Sequence, residues 1–210
     1  MMASGHPLTL KTAECDFVFK VVVTGNAGVG KSSLALRFVT NKFNVECAST
    51  CGVEFVTKLL NIENKLVNVQ IWDTVGQETY KSLPSSYYRG ALGALIVFDI
   101  TDEKSFNDVT MWLEELKKFV DPDVQVLLIG NKCDLKHERK VSVNKITRFA
   151  SSKGLLFMET SARDGTSVDE AFTHILKGIL DLAMNSSSKE LIPRVQLNQL
   201  TEKHTSAGCC

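Results

Sequence analysis

Residues 25–32 have a composition and spacing suited to binding a phosphate, because Gly25 and Gly30 bracket four residues and are followed by Lys31 and Ser32. Glycines let the backbone approach a phosphate closely, and N–H groups at the start of a helix point toward an anion. Lys31 would reach the outer phosphates, and Ser32 would offer its hydroxyl to a magnesium ion. The alternative is a tight turn that precedes a Lys and a Ser by chance. The predicted phosphate-binding residues are Asn26, Ala27, Gly28, Val29, Gly30, Lys31, Ser32 and Ser33.

The segments on either side of this loop favour the phosphate-binding interpretation. Residues 17–23 form a short β-rich run typical of a buried parallel strand, and residues 34–39 continue without Gly or Pro and suit a helix. A loop between a strand and a helix is the context in which this motif cradles phosphates.

A second group of residues could hold the magnesium ion and a water molecule. Asp73 ends an apolar run, and Asp-Thr-x-Gly at a strand end is typical of the acidic magnesium site beside such a loop, although Asp and Gly are also common in ordinary turns. Gly76 could donate its backbone N–H to a terminal phosphate, and the Gln77 amide could orient a water for hydrolysis. The predicted metal ligands are therefore Ser32 and Asp73, and the predicted catalytic residue is Gln77.

Asn131, Lys132 and Asp134 follow another apolar run, and Asp134 could select the base of a nucleotide. A carboxylate accepts two N–H bonds, and guanine presents such a pair on N1 and its exocyclic amine whereas adenine does not. The wrong base would leave a buried acceptor unpaired, at a cost of about 1–3 kcal/mol. After the last predicted strand, backbone donors could also reach the base from a segment that would otherwise be a plain loop: Ser161, Ala162 and Arg163.

Strand-like and helix-like segments alternate along the chain and must position these residues. Residues 53–62 and 66–72 predict an antiparallel hairpin at one edge of a sheet. Further strands are predicted over residues 93–99, 124–130 and 155–159. Helical spacing extends from Ser105, the predicted cap, to Phe119. Further helices are predicted over residues 143–152 and 168–184. The alternation predicts a doubly wound α/β fold with helices on both faces and ligands at the carboxyl ends of the strands.

The composition limits the class of protein. A chain of 210 residues suits one domain with tails, and 24 Lys and Arg against 24 Asp and Glu give no overall field that would attract nucleic acid or an anionic membrane. The 6 cysteines form no paired CxxC array and no secretory segment opens the chain, which favours a reduced, cytosolic setting. The predicted divisions are a flexible arm over residues 1–15, a globular domain over 16–184 and a flexible tail over 185–210.

With these motifs in this order, the chain resembles the small GTPases of the Ras superfamily and, within them, the Rab branch. The similarity extends over about residues 16–184, and its Rab-like features are residues 72–78, residues 86–90 and the terminal Cys209 and Cys210. The resemblance implies a small G domain of the P-loop NTPase class, with a mostly parallel six-stranded sheet and one antiparallel edge strand. It also implies GTP or GDP as the bound nucleotide, with Mg²⁺.

The same resemblance assigns roles to residues whose types alone leave them open. Thr50 would be the switch threonine, with its hydroxyl on Mg²⁺ and its N–H on the γ-phosphate only when GTP is bound. Phe55, Trp72 and Tyr87 would form the surface that effectors contact, although each is equally well explained as a core or half-buried sheet residue. Val75 stands where most Rab proteins have Ala, and its β-branch restricts the backbone, so slower intrinsic hydrolysis is expected.

The last two residues predict attachment to a membrane. Cys209 and Cys210 resemble the double-cysteine ending on which Rab proteins receive two geranylgeranyl chains, and two lipids anchor a protein stably where one does not. The alternative is exposed thiols or a disulfide between two chains, which a reducing cytosol disfavours. The resemblance implies a monomer on the cytoplasmic face of intracellular membranes that cycles with the cytosol and binds no nucleic acid. Its implied partners are a GTPase-activating protein, an exchange factor, a prenylation escort, a GDP-dissociation inhibitor and effectors.

These observations favour a guanine-nucleotide switch that hydrolyses GTP to GDP and phosphate in vesicle traffic. Residues 43–52 and 75–84 would be ordered by the γ-phosphate and magnesium, and neither loop places an Arg to act on the transition state, so hydrolysis should be slow without an activating protein. One alternative is a P-loop phosphotransferase, against which residues 131–134 and the double cysteine argue. The other is a nucleotide-binding scaffold on membranes that has lost catalysis, an alternative that Val75 keeps open.

Overall fold

Six strands form one sheet in the computed structural model, which describes residues 15–44, 54–74 and 87–185. The strands are β1 (Phe17–Thr24), β2 (Glu54–Ile62), β3 (Lys65–Asp73), β4 (Gly93–Asp99), β5 (Gln125–Asn131) and β6 (Leu156–Glu159). Their order across the sheet is β2-β3-β1-β4-β5-β6. β2 pairs antiparallel with β3, and the other pairings are parallel. The predicted mostly parallel sheet with one antiparallel edge strand is confirmed.

The hairpin at the sheet edge turns on two residues with left-handed backbones. Glu63 has φ 51° and Asn64 has φ 65°. Positive φ at both central residues is the geometry whose twist matches that of the flanking strands in a two-residue hairpin. The tight turn fixes the register, so that Phe55 lies opposite Trp72 on the neighbouring strand.

Five α-helices and one 3-10 helix lie within the described residues. They are α1 (Lys31–Thr40), α2 (Glu103–Asn107), α3 (Val109–Lys117), the 3-10 helix Cys133–Glu138, α4 (Val143–Lys153) and α5 (Val168–Asn185). In the described part of the chain, no helix is long and apolar enough to cross a membrane.

The two faces of the sheet carry separate apolar clusters. Successive side chains of a strand point to opposite faces, so Val21 and Val23 of β1 join one cluster while Val22 joins the other. The first, called here the α5 cluster, includes side chains of α1 and α5. The second, the α3 cluster, includes side chains of α2, α3 and α4. The predicted placement of helices on both faces is confirmed.

The prediction that Ser105 caps one continuous helix was wrong. The helix starts at Glu103, where the Asp102 carboxylate accepts the N–H of Lys104 at 3.0 Å. Ser105 is buried inside this helix, and its hydroxyl accepts the N–H of Asp99 at 3.0 Å and donates to the Asp102 carbonyl at 2.7 Å. The helical region is also divided at Asp108, where α2 gives way to α3. Asp102 and Ser105 are both good caps by residue type. The Ser105 hydroxyl is bonded to Asp99 at the end of β4, so Asp102 is the residue that caps the helix.

A stacked pair of phenylalanines joins α1 to α5, and its loss should destabilise the fold. The ring centroids of Phe38 and Phe172 lie 4.0 Å apart with an interplanar angle of 10°, and both side chains are buried. We expect Phe172→Ala to lower the free energy of unfolding by about 3–5 kcal/mol, because truncation leaves a cavity under α1. Urea denaturation followed by circular dichroism measures this change. Met184→Ala, on the same helix but 59% exposed, is the control, and equal effects of the two substitutions would contradict the expectation.

Candidate functional site

The glycine-rich loop, residues 25–30 and called here the phosphate loop, follows the carboxyl end of β1 and leads directly into α1. Gly25 has φ 138°, and a Cβ there would lie 2.1 Å from the carbonyl oxygen of Val97. Gly30 precedes α1 with φ 97°, and a Cβ there would lie 2.4 Å from the Asn131 side-chain nitrogen. Both positions therefore exclude any side chain, and the loop lies in direct contact with β4 and with the end of β5.

Within the loop, the side chain of Lys31 bends back over the backbone. Its Nζ donates to the carbonyl oxygen of Asn26 at 2.8 Å, and the residue is 5% exposed. Ala27 and Gly28 are exposed, whereas Val29 is buried and Ser33 is half-buried in the first turn of α1. The ammonium of Lys31 is thus held beside the backbone N–H groups that would face an anion.

Ser32 and Asp73 meet where α1 begins and β3 ends. The Ser32 hydroxyl donates to Oδ2 of Asp73, a residue only 6% exposed. A hydroxyl and a carboxylate are hard oxygen donors of the kind that Mg²⁺ binds when a phosphate completes its coordination. The two oxygens therefore fit the predicted metal site.

The motif of residues 131–134 and the loop after β6, residues 160–167 and called here the base-side loop, form one hydrogen-bonded structure. Oδ1 of Asn131 accepts the N–H of Ala162 at 3.2 Å and the hydroxyl of Thr160 at 3.3 Å. The Ser161 hydroxyl donates to Oδ1 of Asp134 at 2.7 Å. The carboxylate predicted to select a base is therefore oriented by the segment predicted to lie beside that base.

Lys132 and Cys133 complete this motif. Lys132 has a left-handed backbone, with φ 65°, and its Nζ lies 2.7 Å from Oδ2 of Asp99. Cys133 is 4% exposed and packs in the α3 cluster, and this burial raises the pKa of its thiol.

Comparison with known proteins assigns the chain to a family. The model of the Ras family matches residues 20–181. The chain belongs to the Ras family of small GTPases.

Similar proteins place it in the Rab branch of that family. It is 44% identical over 209 residues to "GTP-binding protein ypt3" of Schizosaccharomyces pombe, covering 94% of this chain and 98% of that protein. It is 52% identical over 166 residues to "Ras-related protein YPT3" of Nicotiana plumbaginifolia, covering 79% of this chain and 76% of that protein. It is 46% identical over 186 residues to "Ras-related protein Rab11A" of Lotus japonicus, covering 89% and 82%. As a Rab-family small GTPase, the protein binds GTP and GDP, hydrolyses GTP and acts in membrane-associated vesicle trafficking.

The aromatic residues assigned to the effector surface lie on β2, on β3 and in the segment before β4. The rings of Phe55 and Trp72 stack with centroids 5.2 Å apart, and Phe55 is 44% exposed. Trp72 and Tyr87 are half-buried and pack against the α3 cluster. The Nζ of Lys20 lies over the Trp72 ring, 4.2 Å from the ring centroid, and burial lowers the pKa of this lysine. An effector role for Phe55, Trp72 and Tyr87 stays a prediction.

Five predicted site residues lie outside the described part of the chain: Thr50, Gly76, Gln77, Cys209 and Cys210. Their roles stay predictions.

Arg37 of α1 is a site residue that the sequence did not reveal. Its Nε donates to the carbonyl oxygen of Ala162 at 2.8 Å, and one terminal nitrogen donates to the carbonyl of Arg163. The other terminal nitrogen donates to the carbonyl of Asn41 at 2.9 Å, at the end of α1. One guanidinium thus ties the base-side loop to the helix that starts in the phosphate loop. No local pattern could predict this, because Arg37 and Ala162 are 125 residues apart.

Removal of this guanidinium should shorten the lifetime of the bound nucleotide. We expect Arg37→Ala to raise the dissociation rate of GDP by about tenfold, because the carbonyls of the base-side loop lose charge-assisted hydrogen bonds. Displacement of a fluorescent GDP analogue by excess GDP measures the rate. Arg148→Ala, an exposed arginine on α4, is the control. A rate equal to that of the wild type, in a folded Arg37→Ala protein, would show that the loop does not depend on Arg37.

Proposed function

We propose that this Rab-family GTPase is a Mg²⁺-dependent switch on the cytoplasmic face of intracellular membranes, cycling with the cytosol. The observation that carries the proposal is the meeting of three elements at one edge of the sheet. They are the loop after β1, the Ser32–Asp73 pair and the Asp134–Ser161 pair. Ligands of open α/β sheets bind outside the carboxyl ends of the strands, and this edge is formed by those ends.

The phosphates would be held by the loop backbone and by Lys31. Gly25 and Gly30 let the loop pack against Val97 and Asn131, and its N–H groups would then face the phosphate oxygens. Mg²⁺, when bound, would neutralise charge on the β- and γ-phosphates. Ser32 and Asp73 would supply two of the oxygens that bind Mg²⁺, and Thr50 is proposed to add a third when GTP is present. The backbone of Asn26, Ala27, Gly28, Val29 and Ser33 completes the proposed phosphate site.

The base would be read by Asp134. Its carboxylate is oriented by Ser161 and lies beside a loop that Asn131 fixes through Ala162. Guanine satisfies this acceptor with two N–H groups, and adenine leaves it unpaired. Lys132 and Arg163 are proposed to flank the base.

The proposed switch segment over residues 75–84 would respond to the γ-phosphate because the residues on both sides of it are held in place. Thr74 bonds the carbonyl of Val23 through its N–H at 3.3 Å and its hydroxyl at 2.9 Å. Past residues 75–86, the fully buried Tyr88 places its hydroxyl 3.4 Å from Oγ1 of Thr24. The segment that carries Gly76 and Gln77 therefore starts and ends on adjacent residues of β1. Gly76 is proposed to contact the γ-phosphate, and Gln77 to orient the attacking water.

The proposed switch would act on membranes and together with partner proteins. Residues 16–184 would form the nucleotide-binding domain, between an arm (1–15) and a tail (185–210) that ends in the prenylated Cys209 and Cys210. A monomer of this kind would require an activating protein, an exchange factor, a GDP-dissociation inhibitor and effectors, with Phe55, Trp72 and Tyr87 as effector contacts.

A second candidate function is a GTP-binding scaffold with impaired catalysis. The position of Val75 favours it, because the β-branched side chain stiffens the backbone immediately before Gly76.

Hydrolysis by the purified protein separates these two functions. We expect slow single-turnover release of phosphate from GTP by the wild type, and release slower by a factor of about ten or more in Gln77→Leu, because the leucine cannot orient water. Gln125→Leu, a glutamine at the start of β5, serves as the control. Equal, zero rates in the wild type and Gln77→Leu would favour the scaffold, and fast release without any partner would contradict the requirement for an activating protein.

Membrane attachment should depend on both terminal cysteines. We expect the tagged wild type to sediment with membranes after expression in eukaryotic cells, and Cys209→Ser/Cys210→Ser to remain in the soluble fraction, because two prenyl chains anchor stably. Single substitutions should weaken the association, since one chain gives only marginal binding. Cys15→Ser is the matched control for a thiol outside the tail. A doubly substituted protein that still sediments would exclude lipidation at these residues as the anchor.

A further inference from the structure

One side chain of the phosphate loop is bonded to the α3 side of the sheet. The amide oxygen Oδ1 of Asn26 accepts the indole N–H of Trp112 at 2.6 Å. Its Nδ2 donates to Oδ2 of Asp108 at 2.7 Å. Asn26 is 2% exposed and Trp112 is 5% exposed, so the bond between these two is shielded from water. Neither Asp108 nor Trp112 belongs to the motifs that bind the nucleotide.

The chemistry of the two partners determines which way the amide faces. An indole N–H only donates and an ionised carboxylate only accepts, so the group between them must offer one acceptor and one donor. The Asn26 amide supplies both. A carboxylate at position 26 could serve Trp112 but would place two negative charges in contact, and an apolar residue would leave the buried indole N–H unpaired.

Asp108 lies where the helical region is divided between α2 and α3. It is the residue between the two helices, and its carbonyl accepts the backbone N–H of Trp112 at 3.2 Å. Trp112 is packed in the α3 cluster, which fixes its ring. The division of the helix therefore brings a carboxylate and an indole to the same side chain of the phosphate loop.

Asn26 also contacts Lys31, the residue proposed to bind the phosphates. The carbonyl of Asn26 accepts the Nζ of Lys31 at 2.8 Å, so the residue held by Asp108 and Trp112 is the one that holds the ammonium. A displacement of Asn26 would move the backbone of the loop and the Lys31 side chain together.

We infer that Asp108 and Trp112 are positioning residues that act through Asn26 to hold the phosphate loop in its nucleotide-binding shape, and so set how long nucleotide stays bound. This inference rests on the proposed phosphate site. Neither residue belongs to the proposed phosphate site. The Asp108 carboxylate lies between α2 and α3, outside the loop that would hold the phosphates.

An exchange of the two polar groups tests this arrangement. The variants are Asn26→Asp, Asp108→Asn and the two together, and the measurement is the dissociation rate of a fluorescent GDP analogue at fixed Mg²⁺. We expect Asn26→Asp alone to dissociate about tenfold faster, because two adjacent carboxylates push the loop away from α3. Asp108→Asn alone should be nearly unchanged, since its amide oxygen can still accept from Asn26.

The double variant decides the mechanism. With both substitutions, the carboxylate introduced at position 26 accepts from Trp112 and from the amide introduced at position 108, so the rate should return to within about threefold of the wild type. A rate that stays as fast as in Asn26→Asp would mean that the new charge acts directly on the phosphates, and would overturn the inference. Equal rates in the wild type and Asn26→Asp would overturn it too.

A variant outside the loop gives an independent readout. Trp112→Phe keeps an aromatic ring but removes the N–H donor, so we expect the GDP analogue to dissociate several-fold faster. Met111→Gln, at an exposed neighbouring residue of α3, is the control. An unchanged rate in Trp112→Phe would contradict the inference. If the wild type bound GDP no better than ADP, the proposed base recognition would be wrong. The loop variants would then be compared by their rates of ADP dissociation, which still test the inference.

Discussion

The site depends above all on the buried amide of Asn131. Its Nδ2 donates to the carbonyl of Val29 at 2.8 Å, and its Oδ1 accepts from Ala162 and Thr160. One side chain, 1% exposed, thereby joins the phosphate loop to the base-side loop. An unpaired polar group in such a position is unfavourable, so the phosphate loop, the base-side loop and the end of β5 adopt their places together. The absence of a side chain on Gly30 is what lets the amide come so close.

Around this amide, long-range contacts hold the loop after β6 and the residues on both sides of positions 75–86. Arg37 holds the carbonyls of the base-side loop, Thr74 bonds β1 just before residues 75–86, and Tyr88 is buried just after them. A segment with fixed ends has fewer conformations to lose when it orders. The fold therefore supplies fixed ends for residues 75–86, and a ligand at the phosphate loop is proposed to decide the conformation between them.

The fold was predictable from the sequence because its signals are local. Apolar runs such as those of β1 and β4 lie between turn residues, and the pattern from Gly25 to Ser32 needs only the strand before it and the helix after it. What the sequence did not predict depends on contacts between distant segments. Ser105 and Asp102 are both suitable caps, and only the bond from Asp99 to the Ser105 hydroxyl distinguishes them. The bond between Trp112 and Asn26 spans 86 residues, so periodicity carries no trace of it.

The burial of Lys31 would bring a bound nucleotide into contact with the folded interior. Lys31 is 5% exposed and its ammonium bonds the Asn26 carbonyl, and a phosphate beside it would add electrostatic stabilisation. A ligand that binds only the native state raises its stability in proportion to the logarithm of its concentration over its dissociation constant. The concentration of nucleotide in the cell would therefore set the stability of the native state of this protein. A partner that releases the nucleotide would have to stabilise the nucleotide-free protein until the next nucleotide binds.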